Sequence, residues 1–217
     1  MESQLTRVAL GLSAMAMAFT VGTATPTWAA SFNLSGDQLV EAIKLGESKY
    51  DQDKTAFRWN YIKNLGYGYP QILLRTEYLA VADYVRRSEF QRKFGSQKIH
   101  ELTDERVESA RREVDGHLQF LVTVYGPSED FMNDYDFHLE LKDELILPSS
   151  IDKPVVAGHS GFRGKLSYAA TIIIDFPTDG LTGNEKVTLI LDPPDGLGPS
   201  GSRDSSFKAL FDLSTVK

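Results

Sequence analysis

Residues 166–176 of this 217-residue chain read LSYAATIIIDF, and this stretch decides the class of fold. Every second position is apolar or aromatic, at Leu166, Tyr168, Ala170, Ile172, Ile174 and Phe176. A period of two is the pattern of a β-strand with one face in a core and one face turned outward. The stretch therefore predicts a long, half-buried strand.

Four other stretches alternate in the same way, at residues 118–124, 135–142, 187–191 and 207–213. Residues 155–157 fit a short sixth strand. Turn-forming residues separate the stretches, and no helical pattern lies between them. Successive strands without helices between them predict an antiparallel sheet, most economically an immunoglobulin-like sandwich. The alternative is a single curved sheet covered by helices.

The N-terminal half has a helical period instead. Apolar residues spaced three and four apart predict helices over residues 36–49, 77–94 and 103–116. Ser35 and Gln38 form the pattern of a capping box before the first helix. In the second helix the residues expected to share a buried face are Leu79, Ala82, Val85, Phe90 and Phe94. The basic residues expected on its outside are Arg86, Arg87, Arg92 and Lys93.

Residues 1–29 have the pattern of a secretory signal peptide. Arg7 precedes an apolar run over residues 8–24, and residues 27–29 (TWA) offer a cleavage site. An uncleaved membrane anchor is the alternative, but a membrane span needs roughly 20 strongly apolar residues, and polar residues dilute this run. We therefore expect an exported chain, periplasmic or extracellular, with no transmembrane segment after signal cleavage.

The mature chain divides into a helical region, residues 30–115, and an antiparallel β region, residues 116–217, which we expect to pack as one unit. The chain has no cysteine, which excludes disulfides, thiol nucleophiles and lipid attachment at a cysteine. The net charge of −7 lies in the β region, which has 8 Lys and Arg against 15 Asp and Glu. This acidic region repels phosphate, so nucleic acid is not an expected partner.

Aromatic residues crowd the segment 57–69. The candidates for binding a ligand or a partner are Trp59, Tyr61, Tyr67 and Tyr69. Exposed aromatic rings stack on sugars or anchor protein interfaces. Packing is the competing interpretation, because the spacing of Phe57, Trp59 and Tyr61 also fits one face of a strand, and burial of that face would enclose the rings.

A run of acidic residues follows the first strand of the β region. Glu129, Asp130, Asp134 and Asp136 are candidate calcium ligands, because calcium prefers hard oxygen ligands. The spacing is not that of an EF-hand, and the central glycine is missing. The other interpretation is a solvated connection with Asx-type turns. Apart from calcium, the sequence predicts no cofactor.

No catalytic residue is assigned from the sequence, which contains no phosphate-binding loop and no complete nucleophile elbow. We expect a non-enzymatic module that binds another protein or a component of the cell envelope. The alternative is a domain that binds a carbohydrate or a small ligand through the aromatic segment 57–69. A third interpretation is a hydrolase acting through two carboxylates of the acidic half, with no particular pair indicated.

Overall fold

The computed structural model describes residues 30, 32–95, 102–114, 116–199 and 206–216. The predicted signal peptide, residues 1–29, lies outside the described residues. The described chain contains the α-helices α1 (Gly36–Ser48), α2 (Lys54–Phe57), α3 (Glu77–Phe94) and α4 (Asp104–Arg112). Within the described ranges, no helix has both the length and the apolar character needed to cross a membrane.

The three longer helices begin at capping side chains. At the start of α1 the amide of Gln38 donates to Ser35 Oγ at 3.3 Å, and the amide of Ser35 donates to Gln38 Oε1 at 2.9 Å. Thr76 caps α3 and Thr103 caps α4, each accepting from the amide three residues later. These bonds satisfy amides that have no partner within the helix. The predicted capping box is therefore confirmed.

The described chain also contains two antiparallel sheets, whose longer strands lie where the sequence alternates. Their strands are β1 (Ile62–Asn64), β2 (Gln71–Arg75), β3 (His117–Gly126), β4 (Asp136–Leu141), β5 (Glu144–Ile146), β6 (Ser150–Asp152), β7 (Gly158–His159), β8 (Tyr168–Pro177), β9 (Lys186–Asp192) and β10 (Phe207–Asp212). The first sheet has the order β1-β2-β3-β8-β6, with β7 also paired to β8. The second sheet has the order β10-β9-β4-β5.

The apolar core is shared by the two sheets. Its residues on β3 and β8 are those that the alternation predicts, and Phe120, Val122, Ile172 and Ile174 are fully buried. The ring of Phe120 contacts that of Phe211 on β10, in the second sheet, with centroids 5.3 Å apart. This burial specifies the register of the strands, because a shift by one residue would turn the apolar side chains outward.

The predicted mixture of helices and antiparallel β-structure is confirmed, with two differences in arrangement. There are two sheets in the described chain, so the alternative of a single curved sheet is wrong. The immunoglobulin-like arrangement is not confirmed by the strand order. The region 30–115 also supplies β1 and β2, which extend the first sheet beyond β3. Strands of three and five residues are too short to show a period, and the pairing of β1 with β2 and of β2 with β3 determines their structure.

Two connections also differ from the prediction. Residues 155–157 do not form a strand, and β6 and β7, on either side of them, pair with β8 instead. The strand predicted over 135–142 ends at a two-residue turn, where Lys142 and Asp143 have φ of 50° and 68°. This left-handed geometry suits a tight hairpin and joins β4 to β5.

The helices α1, α3 and α4 form a second apolar cluster. Ala42 of α1 and Val81 and Val85 of α3 are fully buried in it. Phe57 packs against both this cluster and the sheet core, and Leu79 of α3 belongs to the sheet core. These two side chains connect the helical layer to the sheets.

One prediction about the faces of α3 is wrong. Phe90 and Phe94, expected in the core, are exposed, and Arg86, expected outside, is 7% exposed. Arg86 is buried because it forms an ion pair, with its Nη2 3.3 Å from Oδ1 of the buried Asp83. A charged side chain enters the interior when a partner of opposite charge is already there.

Candidate functional site

The candidate site lies on the outer face of the first sheet, which is turned away from the core. Side chains there form rows across β2, β3 and β8, because antiparallel partners are in register. One row is charged: Gln119 accepts from Arg75 Nη1 at 3.0 Å and donates to Asp175 Oδ1 at 2.8 Å. The next two rows are Leu73, Leu121 and Ile173, and then Gln71, Thr123 and Thr171.

Three aromatic rings stand at the end of this face, beyond the threonine row. Tyr67, Tyr125 and Phe162, which we call the aromatic cluster, are joined through Phe162. Its ring centroid lies 5.2 Å from that of Tyr67 and 5.4 Å from that of Tyr125, both in the favourable edge-to-face geometry. Tyr67 is 84% exposed, whereas the other two rings are half-buried. The cluster therefore presents one exposed ring on a base of two packed ones.

A glycine-rich turn between β1 and β2 positions Tyr67. Gly66 and Gly68 flank the tyrosine with φ of 132° and 75°, in a region that other residues rarely adopt. The amide of Gly66 donates to Asn64 Oδ1 at 3.0 Å. A Cβ at Gly68 would lie 2.6 Å from Leu166 Cδ1, so the turn is in close contact with the loop before β8. The backbone is thus held on both sides of the exposed ring.

The four aromatic residues predicted from the sequence do not form one surface. Trp59 is 72% exposed in the 3-10 turn Trp59–Tyr61, and Tyr61 in the same turn is buried. Tyr69 is half-buried, with its ring 5.3 Å from that of Phe207. The interpretation of Phe57, Trp59 and Tyr61 as one strand face is wrong, because α2 ends at Phe57 and the 3-10 turn follows. Of the four, Tyr67 belongs to the aromatic cluster.

Sequence reasoning missed the other two members of the aromatic cluster. Tyr125 is an outward position of β3, and the alternation could have marked it as exposed on that face. Phe162 follows Gly161 in a loop, and no local pattern associates it with Tyr67, almost a hundred residues earlier. Pairing of β3 with both β2 and β8 brings the three segments together.

A cleft of about 820 Å³ lies between α1 and α2. Phe57, Tyr61 and Tyr78 supply its aromatic surface, and Glu41 and Asn60 are among its polar groups. Burial, and to a lesser degree the charge of Glu41, raises the pKa of Tyr78 to about 12. The hydroxyl of Tyr78 is therefore protonated at neutral pH. Glu41 is the one carboxylate among the lining residues of the described chain, whereas hydrolysis through carboxylates needs a facing pair.

The candidate calcium ligands are dispersed around the connection between β3 and β4. Glu129, Asp130, Asp134 and Asp136 are all exposed. Among the described residues, no three His, Cys, Asp or Glu side chains lie close enough together to hold a metal ion.

A lysine occupies the centre of this connection instead. Lys153 Nζ donates to the carbonyl oxygens of Asn133 and Tyr135 at 2.7 and 2.9 Å. Ser128 Oγ donates to Asp130 Oδ1 at 2.7 Å, in a local turn. Two backbone oxygens of this connection are therefore bonded to an ammonium group, and the Ser128–Asp130 turn is of the local kind expected in a solvated connection.

Comparison with known proteins does not assign a function to this geometry. No protein-family model matches the chain, and no curated protein matches it. The features of the described chain that suit recognition include the aromatic cluster, the open cleft and the outer face of the first sheet.

Proposed function

We propose that the chain is a non-enzymatic binding module, exported from the cytoplasm, that contacts a protein or another component of the cell envelope through the aromatic cluster. The observation that supports this most directly is the position of Tyr67. Its ring is 84% exposed, yet it rests edge-on against Phe162. Large rings with one face in water and a packed base are typical anchors of protein interfaces.

The surrounding scaffold is consistent with a role in recognition. The cluster combines a turn at one edge of the first sheet with the loop before β8, and loops on a rigid scaffold commonly carry binding residues. We propose further that the two sheets form an immunoglobulin-like sandwich, a scaffold that presents its loops at two ends. Export is proposed from residues 1–29, and an N-terminus at Ala30 in the mature protein would support it, whereas recovery of Met1 would contradict it.

Site-directed photo-crosslinking tests the binding surface. A photoreactive amino acid at position 67 should capture a discrete partner in the intact cell envelope, because Tyr67 is the exposed ring. The same amino acid at Phe94, which is 64% exposed at the end of α3, is the matched control. Capture at 67 should be lost when Phe162 is replaced by alanine. Identical products at both positions would show that the crosslinks are nonspecific and contradict the proposal.

The cleft between α1 and α2 supports a second candidate, binding of a carbohydrate or another small ligand. Its volume of about 820 Å³ lies within the range of small-molecule sites. Phe57 and Tyr61 provide ring surface, and the exposed Asn60 provides an amide beside them.

Fluorescence of Trp59, the neighbour of Asn60, tests this second candidate. Titration with a neutral disaccharide such as cellobiose should give a saturable change in the wild type that is lost in Asn60→Ala. Asn133→Ala changes an exposed asparagine in the 3-10 turn Phe131–Asp134; it is the control and should keep the response. If a panel of neutral disaccharides gave no change in fluorescence, carbohydrate binding at this cleft would be contradicted.

A further inference from the structure

The outer face of the first sheet carries a groove that the aromatic cluster does not use. It has a volume of about 230 Å³ and lies between α2 and the rows of side chains on β2, β3 and β8. The residues that define this cationic groove are Lys54, Arg58, Gln71, Leu73, Leu121 and Thr171. No acidic residue is among its lining residues in the described chain, although the protein as a whole has a net charge of −7.

The positive charge of the groove comes from α2 and the residue that follows it. Lys54 and Arg58 are four residues apart, so they lie on the same side of the helix. Within the described ranges, no carboxylate lies within 4.0 Å of the Lys54 ammonium. The neighbouring Arg58 charge, together with partial burial, lowers the pKa of Lys54. An anion placed between the two cations would relieve this repulsion.

Arg58 has hydrogen-bonding capacity left over. One of its Nη atoms pairs with the buried Asp83, which holds the guanidinium in place. Its Nε is buried and has no hydrogen-bond partner in the described part of the chain. The guanidinium of Arg58, which lines the groove, keeps its positive charge and further N–H donors, so an acceptor oxygen of an anion beside it would be stabilised by a charged hydrogen bond.

The floor of the groove is amphipathic across neighbouring rows. Leu73 and Leu121 are directly paired across β2 and β3 and form an apolar surface. Beside them, Gln71 pairs with Thr123, and Thr123 Oγ1 lies 3.1 Å from Thr171 Oγ1. An apolar strip next to hydroxyl and amide groups suits a ligand with both characters.

We propose that the cationic groove binds a small organic anion, with its acidic group beside the two cations and its apolar part on the leucine pair. The volume of about 230 Å³ is below the usual range for drug-sized ligands, so the ligand is a small one. A carboxylate or a phosphate monoester with a short alkyl or aromatic tail has this chemistry. The proposal does not depend on the aromatic cluster, which lies at the end of the same face.

Isothermal titration calorimetry of the folded protein with hexanoate and with hexyl phosphate tests the proposal, at constant ionic strength because salt screens exposed charges. At least one probe should bind saturably, inorganic phosphate should bind more weakly, and hexanol should not bind. Lys54→Gln should weaken binding about tenfold, the effect of one charged hydrogen bond. Lys63→Gln removes the same charge from β1, on the side of Phe211, and should leave binding unchanged.

Tyr67→Ala separates this proposal from the proposed function. The variant should lose the crosslinked partner and keep the binding of hexyl phosphate. If Lys54→Gln and Lys63→Gln weakened binding of the probes equally, the attraction would be nonspecific and the proposed anion site would be overturned. The proposal would also be overturned if neither hexanoate nor hexyl phosphate bound. The same conclusion would follow if the protein associated only with vesicles of anionic lipid.

Discussion

Replacement of Asp83 by asparagine is predicted to destabilise the protein strongly. Asp83 is 3% exposed, and its carboxylate pairs with three arginines. Arg58 and Arg86 are themselves largely buried, whereas Arg87 is half exposed. Asparagine keeps the size of the side chain and removes its charge. The variant therefore leaves two buried guanidinium groups beside a neutral amide.

The magnitude follows from the buried members of this network. Removal of one partner of a buried ion pair typically costs about 3–5 kcal/mol, because the remaining charge stays desolvated. Arg58 retains some contact with water, and Arg86 keeps a hydrogen bond to the Gln52 carbonyl at 3.0 Å. We therefore expect a loss of about 3 kcal/mol in the free energy of unfolding. For a chain of this size that corresponds to a Tm lower by roughly 6–12 °C.

The pH dependence of this loss provides a second readout. Burial opposes ionisation of Asp83, but the hydrogen bond from Arg58 and the three arginine charges outweigh it and lower the pKa of Asp83 below 3.8. A lowered carboxyl pKa stabilises the fold above the pKa of the unfolded chain. This stabilisation disappears as the pH falls through the folded pKa. The difference between wild type and Asp83→Asn should therefore be constant near neutral pH and shrink below pH 3.8.

Urea denaturation of the wild type, Asp83→Asn and Glu108→Gln measures both effects. Glu108 forms the control pair, since it is more than a third exposed and lies 3.5 and 3.6 Å from two arginine nitrogens of α4. Exposed pairs of this kind contribute about 0–1 kcal/mol. A loss below about 1 kcal/mol in Asp83→Asn, or a loss no larger than that in Glu108→Gln, would refute the assignment of Asp83 as the centre of the ion network.

Four further predictions concern the packing, exposure and ionisation of single residues. Gly46→Ala should lower the free energy of unfolding by about 1–3 kcal/mol in urea denaturation, because a Cβ there would lie 2.5 Å from the Ala82 carbonyl oxygen on α3. Gly36→Ala is the control and should leave the free energy of unfolding unchanged, because a Cβ there would have nothing within 4 Å. Trp59, the sole tryptophan from residue 30 onward, should show red-shifted emission quenched by iodide, and a blue-shifted, protected emission would contradict its 72% exposure. Ultraviolet titration should show Tyr78 ionising only near pH 12. Because the tyrosine anion forms more easily in the unfolded chain than in the folded one, stability should be lost as the pH rises from 10. Ionisation of every tyrosine near pH 10 would contradict this. Millimolar calcium should leave the Tm unchanged, because Lys153 already donates to two backbone carbonyls of the acidic connection. A rise in Tm on calcium addition that a chelator reverses would contradict this and support a calcium site.

The helices show how much a local pattern determines. Ser35 and Gln38 form the predicted capping box, and α3 has the predicted bounds of residues 77 and 94. Caps and helical periods act over three or four residues, so they are visible in the sequence alone. The prediction was wrong at Arg86, because hydropathy does not show that Asp83 is buried beside it.

The candidate site illustrates the part that local patterns do not determine. The exposure of Tyr67 was a hypothesis of the sequence, but the same hypothesis included Tyr61, which is buried. Tyr125 and Phe162 enter the aromatic cluster only because β3 pairs with β8 and the loop before β8 meets the β1–β2 turn. Pairing between distant segments follows from burial of the whole set of strands, which no single segment encodes.

The sequence by itself determined the mixture of helices and antiparallel strands, the alternation that fills the core and the absence of cysteine chemistry. Each of these depends on short periods or on composition. The tertiary structure decided the division into two sheets, the contact of the three rings in the aromatic cluster and the cationic groove beside them. The groove joins residues of β2, β3 and β8 with α2 and the residue after it, and the aromatic cluster joins β3 to the β1–β2 turn and the loop before β8. Their physical origin is the register between strands, which brings side chains far apart in the sequence onto one face.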